Sequence, residues 1–380
     1  MSSVDERLQG VELQPSTTVC DYRRLFLSGH ALLDVRAPVE FAKGAFPGAV
    51  NLPLMTDDER HQVGICYKEH GQEAAIALGA RLVDPDEQAR RVASWKAFVQ
   101  AHPETLLYCF RGGLRSRIAQ HWLAEAGLDV PLIKGGYKAL RSFLIDQLSR
   151  LSRSLSFTLI GGRTGNGKTL LLKQLGPTID LEHLANHRGS SFGNMPDAQP
   201  STIDFENRVA VELMRMEAAA VENVFLEDEA RLIGRICIPD VLREAMLSAP
   251  IYILECEMSQ RIANCFDDYV TDLLSRYQQQ LGQEAGFDAY TEHHQNSLAR
   301  IKKRFGGANY KKAKALQDKA LTEHRQHADT TAYAPFIEML LRDYYDPMYD
   351  YQLSQKAERV AFRGSSEQIL QHVVNLDSSG

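Results

Sequence analysis

The sequence predicts an α/β protein with three parts: an N-terminal doubly wound parallel domain, a second α/β domain carrying a P-loop, and a helical C-terminal region. Three observations predict it. Short apolar runs alternate with helical stretches early in the chain. The apolar run 105–108 leads into Cys109-Phe-Arg-Gly-Gly-Leu-Arg-Ser and then an amphipathic stretch over 118–123, which reads as strand, Gly-rich loop and helix. The run 156–160 leads in the same way into Gly161-Gly-Arg-Thr-Gly-Asn-Gly-Lys-Thr and a helix over 170–175.

In the first domain, strands are expected at 31–35, 50–52, 105–108 and 130–133, with helices over 86–101 and 117–126. Ligands of such sheets gather at the carboxyl ends of strands, where Cys109 falls. An apolar helix over 139–151 and the polar Ser152-Arg-Ser form a connector. Later strands are expected at 223–226 and 251–254. From about Gln260 the chain reads as helical, broken at Gly306-Gly307, with a polar tail. The expected boundaries are 10–138 for the first domain, 139–155 for the connector, 156–260 for the P-loop domain and 261–380 for the helical region.

The chemistry resides in the two loops. Backbone N–H groups of a Gly-rich loop at a helix N-terminus converge on the preceding sulfur. With Arg111 and Arg115 beside it, that cradle favours a nucleophilic thiolate at Cys109 and can hold a tetrahedral oxyanion. The alternative is an inert buried cysteine, against which the glycines and arginines weigh. In the second loop Gly162, Gly165 and Gly167 let the backbone wrap a phosphate, Lys168 and Arg163 add charge, and Thr169 can hold Mg²⁺. The acids Glu227-Asp228-Glu229 after an apolar strand resemble a metal-coordinating element, with Asp228 or Glu227 as the ligand. Arg188 and Arg231 either clamp phosphates or make structural ion pairs.

Other features are weighed the same way. The 300–319 segment is strongly basic, and Lys302, Lys303, Arg304, Lys311 and Lys312 either contact a nucleic-acid backbone or form a solvated helix face. His293 and His294 point apart on a helix and lack a carboxylate or Cys partner at ligand spacing, so exposure rather than metal binding is expected. Core packing is expected of Cys66 rather than a relay role. For the tyrosines between 344 and 351, packing between domains is expected rather than base stacking.

A length of 380 residues allows two or three domains, and a 44% hydrophobic, 24% charged composition is that of a soluble globular protein. The polar N-terminus lacks a signal-peptide core, and no apolar run approaches the ~20 residues needed to span a bilayer. The six cysteines show no CxxC pair or regular spacing, which argues against a disulfide framework and a structural zinc site and points to the cytoplasm. With a net charge of −6, any nucleic-acid surface must be local.

The first domain resembles a rhodanese domain. Asp34-Val-Arg36, Glu40-Phe41 and Gly44-Ala-Phe-Pro-Gly-Ala-Val-Asn51 match that family's opening signature, and Cys109 falls where its persulfide cysteine lies. Rhodaneses usually carry four residues between Cys and Arg; here five separate Cys109 from Arg115, a spacing shared with Cys-x5-Arg phosphatases. That wider loop suits a donor such as selenophosphate. Asp34 and Arg36 are expected to organise the fold.

The whole chain is similar to the tRNA 2-selenouridine synthase family, in which a rhodanese domain precedes a P-loop domain. Beyond the two loops, the resemblance rests on Asp180-Leu-Glu-His-Leu-Ala-Asn-His-Arg-Gly-Ser-Ser-Phe-Gly193, Phe205-Glu-Asn207 and Glu227-Asp-Glu-Ala-Arg-Leu-Ile-Gly234, and spans about residues 10–360. Phe110 stands where the family commonly has Trp. The resemblance implies replacement of sulfur by selenium in tRNA carrying wobble 2-thiouridine, with selenophosphate and geranyl diphosphate as co-substrates. It also implies an S-geranyl-2-thiouridine intermediate and selenophosphate synthetase as a partner. On this reading the P-loop holds the diphosphate leaving group, and the Cys109 loop holds selenophosphate or receives selenium on its sulfur.

Two other readings stay open. One is a Cys-x5-Arg phosphatase fused to a kinase-like P-loop domain, although Tyr108 stands where such phosphatases usually carry His and no general-acid Asp loop is evident. The other is a P-loop half that only senses nucleotide or docks tRNA.

Overall fold

The computed structural model describes residues 18–377, so the polar N-terminus and positions 10–17 of the expected first domain lie outside the described residues. The chain divides into two compact units. One comprises residues up to Leu148 together with Ser201–Arg215; the other comprises Ser149–Pro200 and Met216 onward.

The first unit begins with β1 (Thr18–Val19), α1 (Tyr22–Ser28), β2 (Leu32–Asp34), α2 (Pro38–Lys43) and β3 (Ala49–Asn51). It continues with α3 (Asp57–Leu82), α4 (Pro85–Ala101), β4 (Leu106–Tyr108), α5 (Leu114–Glu125), β5 (Leu132–Ile133) and the start of α6 (Gly136–Ser154). Its five-stranded sheet runs β1-β5-β4-β2-β3, all neighbours parallel. The order reverses between β4 and β2, so the crevice at their carboxyl ends is the natural ligand position. Leu33, Leu107, Trp95 and Leu123 fill the core beneath it.

At that crevice the buried pair Asp34–Arg36 fixes the chain after β2. Arg36 Nη2 lies 2.6 Å from Asp34 Oδ2 and also donates to the Gly44 carbonyl at 2.9 Å. Its guanidinium sits 3.9 Å from the Tyr137 ring centroid. A desolvated charge pair persists only when its donors find partners, and Nε and Nη2 of Arg36 are both bonded here. This matches the organising role expected from the sequence.

Four first-unit elements escape the sequence reading. Three are short: β1, α1 and α2. The fourth is α3, a 26-residue helix started by Thr56 and Glu59 in a reciprocal cap and interrupted at Gly71. Its apolar residues form no stripe, and Ala75 is its one buried residue, so periodicity gives no signal.

The second unit carries β6 (Ser156–Gly161), α7 (Lys168–Leu175), β7 (Thr178–Ile179) and α8 (Leu181–Leu184). Next come α9 (Thr202–Ala218), β8 (Asn223–Glu227), the β9–β10 hairpin (Leu232–Ile233, Ile236–Cys237), α10 (Asp240–Ser248) and β11 (Ile251–Leu254). Most of α9 belongs to the first unit, where Asn207 donates to the Ala45 carbonyl and accepts from Arg141. The helical part is α11 (Met258–Phe266), α12 (Leu273–Leu281), α13 (Gln283–Phe305), α14 (Gly307–His327), α15 (Tyr333–Leu340) and α16 (Asp346–Ser354). The chain closes with β12 (Val360–Gly364) and α17 (Ser366–Asp377).

These last two elements correct the expected polar tail. β12 adds a parallel edge strand beside β11, giving the five-stranded order β12-β11-β6-β8-β7, and Ile369 of α17 is fully buried. Val360-Ala-Phe-Arg-Gly364 is short and lacks an apolar–polar alternation, so it does not stand out from its flanks. Among the described residues, no helix is long and apolar enough to cross a membrane.

Candidate functional sites

Cys109 ends β4 and is buried, and its thiol donates to Ser116 Oγ at 3.3 Å while Ser116 donates to the Gly113 carbonyl at 2.9 Å. The loop closes against the turn before α6. Gly136 has φ +58°, and a Cβ there would lie 2.3 Å from the Cys109 carbonyl oxygen and 2.6 Å from the Gly112 nitrogen. A side chain at 136 would therefore push the loop off its seat. Tyr137 N and Lys138 N donate to the Cys109 and Phe110 carbonyls at 2.9 and 3.0 Å.

The two loop arginines take different places. Arg111 is exposed, its guanidinium 5.9 Å from the Phe110 ring centroid. Arg115 Nη1 bonds Glu40 Oε2 at 2.6 Å, and Arg60 reaches the same oxygen at 3.2 Å. Burial would raise the Glu40 carboxyl, but Arg115, the Ala37 amide and Arg60 outweigh it and hold the group below its ordinary value. Cys109, Arg111 and Arg115 all line one cavity of about 750 Å³. Cys66 is half-buried on α3, outside the core expected for it.

In the second unit β6 delivers the chain into the P-loop between β11 and β8. Gly165 has φ +81°, and a Cβ there would lie 2.8 Å from both the Arg261 carbonyl and Cys265 Sγ. Arg261 Nε donates to the Thr164 carbonyl at 3.0 Å and Asn264 to the Gly165 carbonyl at 2.7 Å, so α11 braces the loop. Lys168 Nζ rests 3.3 Å from the Gly162 carbonyl. Gly165, Gly167, Lys168 and Thr169 line a polar cavity of about 590 Å³ with Glu182 and Tyr349.

Glu182 and Tyr349 are the residues here that the sequence reading did not place at the P-loop, while Glu229 belongs to the acidic cluster it singled out. Burial, then the neighbouring Glu229 charge, pushes the Glu182 carboxyl up to about 8. Glu229 is also raised, by burial. Burial and the proximity of two like charges both favour the protonated forms of this pair. Desolvation would lower the Lys168 ammonium, but Tyr349, Glu182, Glu229 and Glu227 outweigh it and favour the charged form. Glu182 lies on α8, contributed by a segment whose only sequence signal was its family resemblance.

The other expected phosphate and metal residues are already engaged. Arg163 binds Asp350 with contacts of 2.6–2.8 Å. Arg188 lines the P-loop cavity but pairs with Asp272 at 2.7 Å, and Arg231 is exposed. Lys356 Nζ holds both oxygens of Asp228 at 2.7 and 2.8 Å. Glu227 accepts from the Leu181 amide at 2.8 Å, while its Oε1 is buried without a partner. No group of three or more His, Cys, Asp or Glu is arranged for a metal ion among the described residues.

Lys302, Lys303 and Arg304 end α13, and Lys311 and Lys312 follow the break at Gly306 on α14; all five are exposed. The tyrosines correct the expected packing between domains: Tyr344 stands edge-on to Phe305 of the second unit at 5.5 Å, Tyr345 is buried, Tyr349 lines the P-loop cavity and Tyr351 is exposed. His293 and His294 are a correction: both are buried. His293 Nε2 lies 3.1 Å from the Phe192 carbonyl and His294 Nε2 lies 2.9 Å from that of Tyr269. Adjacent positions can both be buried because α13 packs on both α12 and α14 and meets the aromatic core of Phe192, Tyr333 and Phe336.

Burial, then the charge of His293, lowers the His294 imidazole from 6.5 to about 3. The unfolded chain thus takes up this proton first on acidification. Stability fully present above pH ~6.5 should decline as pH falls toward 3. Urea midpoints at pH 7 and pH 4.5 test this, and His294→Gln should flatten the difference. An equal pH slope in the variant would show that His294 is not the group responsible.

The fold and the two loops define a class: a rhodanese-type cysteine loop and a P-loop, each at the carboxyl end of its own parallel sheet. Residues 21–142 match the rhodanese-like domain family, and residues 155–378 match the tRNA 2-selenouridine synthase AAA domain. The tRNA 2-selenouridine synthase of Marinobacter nauticus is 51% identical over 349 residues, covering 92% of this chain and 95% of that one. That of Hahella chejuensis is 49% identical over 360 residues, covering 94% and 95%. The chain belongs to the tRNA 2-selenouridine synthase family.

Proposed function

We propose that this protein converts wobble 2-thiouridine in tRNA to 2-selenouridine in two steps, one at each loop. The observation that carries the reading is the pair of anion cradles in one chain, a thiol in one and a lysine ammonium in the other. In the first step the thiocarbonyl sulfur attacks C1 of geranyl diphosphate. The C–S bond forms, the C–O bond breaks, diphosphate leaves and the N3 proton passes to water. Lys168 and the amides of the 162–169 loop stabilise the charge growing on diphosphate.

Alkylation makes the sulfur a competent leaving group. In the second step Cys109 Sγ adds to C2 and expels geranylthiol, which takes a proton from water. The selenium of selenophosphate then forms the C2–Se bond and displaces Cys109. Water cleaves the Se–P bond, leaving 2-selenouridine and phosphate. The arginines at the Cys109 loop supply the charge that holds selenophosphate. Selenophosphate synthetase is the natural source of the donor.

Nucleoside mass spectrometry tests the scheme, using 2-thiouridine tRNA with selenophosphate and geranyl diphosphate supplied separately and together. S-geranyl-2-thiouridine should form with geranyl diphosphate alone, and 2-selenouridine should require both. Selenation at full rate without geranyl diphosphate would sink the two-step order.

The basic corner where α13 meets α14 is proposed to contact the tRNA backbone. Changing Lys302, Lys303 and Arg304 together to Glu should weaken tRNA binding and flatten its salt dependence, while geranyl diphosphate binding survives. Unchanged tRNA affinity in the folded variant would make this corner a solvated face.

A further inference from the structure

The cavity beside Cys109 is out of proportion to an inorganic donor. Selenophosphate needs a nest of amides and a few cations, which the loop itself supplies. The cavity is about 750 Å³, within the range of about 300–1,000 Å³ found for organic ligands. Away from the arginines its walls are Leu54, Val63, Ile76, Val83, Ile118 and Trp122, with no carboxylate among the lining residues.

One wall is α3, which buries Ala75 alone of its 26 residues and leaves Ile65 and Tyr67 43% and 57% exposed. Leu114, at the start of α5, is 38% exposed at the same cavity. A helix that adds so little to the core and turns apolar side chains toward a void forms a container wall. The sulfur that must meet C2 of the nucleoside lies in the same lining. By contrast, the P-loop cavity is edged by Lys168, Asp180, Glu182, Arg188 and Asp268, a charged lining that does not suit a hydrocarbon.

We infer that this cavity seats the ten-carbon geranyl chain of S-geranyl-2-thiouridine while Cys109 displaces its sulfur. The inference rests on the two-step reading above and adds a place for the chain. Seating the chain fixes C2 against Cys109 Sγ and leaves geranylthiol in an apolar pocket as it departs. Arg111, exposed at the same cavity, remains for phosphates of tRNA or the selenium donor.

The test uses the full chain and anticodon stem-loops bearing S-methyl-, S-dimethylallyl- or S-geranyl-2-thiouridine, with selenophosphate. Wild type should prefer geranyl over dimethylallyl in kcat/KM by at least about tenfold; five further carbons at about fourfold each set an upper bound of about 10³-fold for complete burial. Ile76→Phe, which narrows the cavity, and Ile76→Asp, which makes it polar, should each erase that preference while conversion of the S-methyl substrate persists. A second readout needs no turnover. Both tryptophans of the chain lie here, Trp122 in the lining and Trp95 stacked on it with centroids 6.0 Å apart. An S-alkyl nucleoside brominated at the far end of its chain should quench their emission, and Ile76→Asp should weaken that quenching about tenfold in concentration.

Equal rates for all three chains in wild type, or an unchanged preference in both folded variants, would overturn the cavity assignment and leave the intermediate intact. If no S-alkyl substrate is selenated, the intermediate itself is wrong. Quenching then decides the cavity alone: chain-length-dependent quenching lost in Ile76→Asp supports it, and no quenching refutes it.

Discussion

Cys109→Ser should abolish 2-selenouridine formation, by at least about 10³-fold, while S-geranyl-2-thiouridine still forms and accumulates. Oxygen is close enough in size to keep the Ser116 contact and the loop shape, so the variant removes the soft nucleophile rather than the cradle. Accumulation is the informative part. A folding defect would lower both products together, whereas a block at one chemical step lets the earlier product pile up. If geranylation falls as steeply as selenation, the chemistry is not divided between the loops.

Lys168→Ala should have the opposite signature. Geranyl transfer should fall by about 10²-fold or more, because the ammonium is the charge that meets diphosphate as the C–O bond breaks. Conversion of pre-formed S-geranyl-2-thiouridine tRNA should continue near the wild-type rate. Removing Lys168 also leaves the Glu182–Glu229 pair without its cation, so the variant should be compared with Lys168→Met for stability. Geranyl diphosphate should compete with any nucleotide for the 162–169 amides. A strict ATP requirement matched to turnover would assign the loop a different ligand.

The sequence disclosed these sites unevenly, for physical reasons. The Cys109 loop and P-loop were legible because each must place glycines, a functional side chain and a helix start within a few consecutive residues. Arg36 and Asp34 were legible for the same reason, being two residues apart. Glu182 and Tyr349 were not, since they reach Lys168 from opposite ends of the second unit and no local spacing ties them to it. The fate of Asp228 was hidden because its partner, Lys356, lies beyond the long helical region. His293 and His294 misled because helical periodicity assumes one buried face, whereas α13 packs on more than one. The apolar cavity was invisible because α3 lines it without forming a stripe.

The placement of α9 bears on how the protein comes into being. Gly44 sits so close to Ile203 that a Cβ there would lie 2.5 Å from its Cγ2, and Asn207, fully buried, ties Ala45 to Arg141. The rhodanese-type unit is therefore unfinished when its own contiguous segment leaves the ribosome. It must wait for Ser201–Arg215, seconds later at about 5–20 residues per second. During that interval the loop beside Arg36 lacks its cover and is open to proteases or chaperones. A gene fragment stopping at Leu148 would freeze the nascent chain in that state. A faithful excision would splice the 201–215 helix back on, as a circular permutant or as a separate peptide supplied in trans.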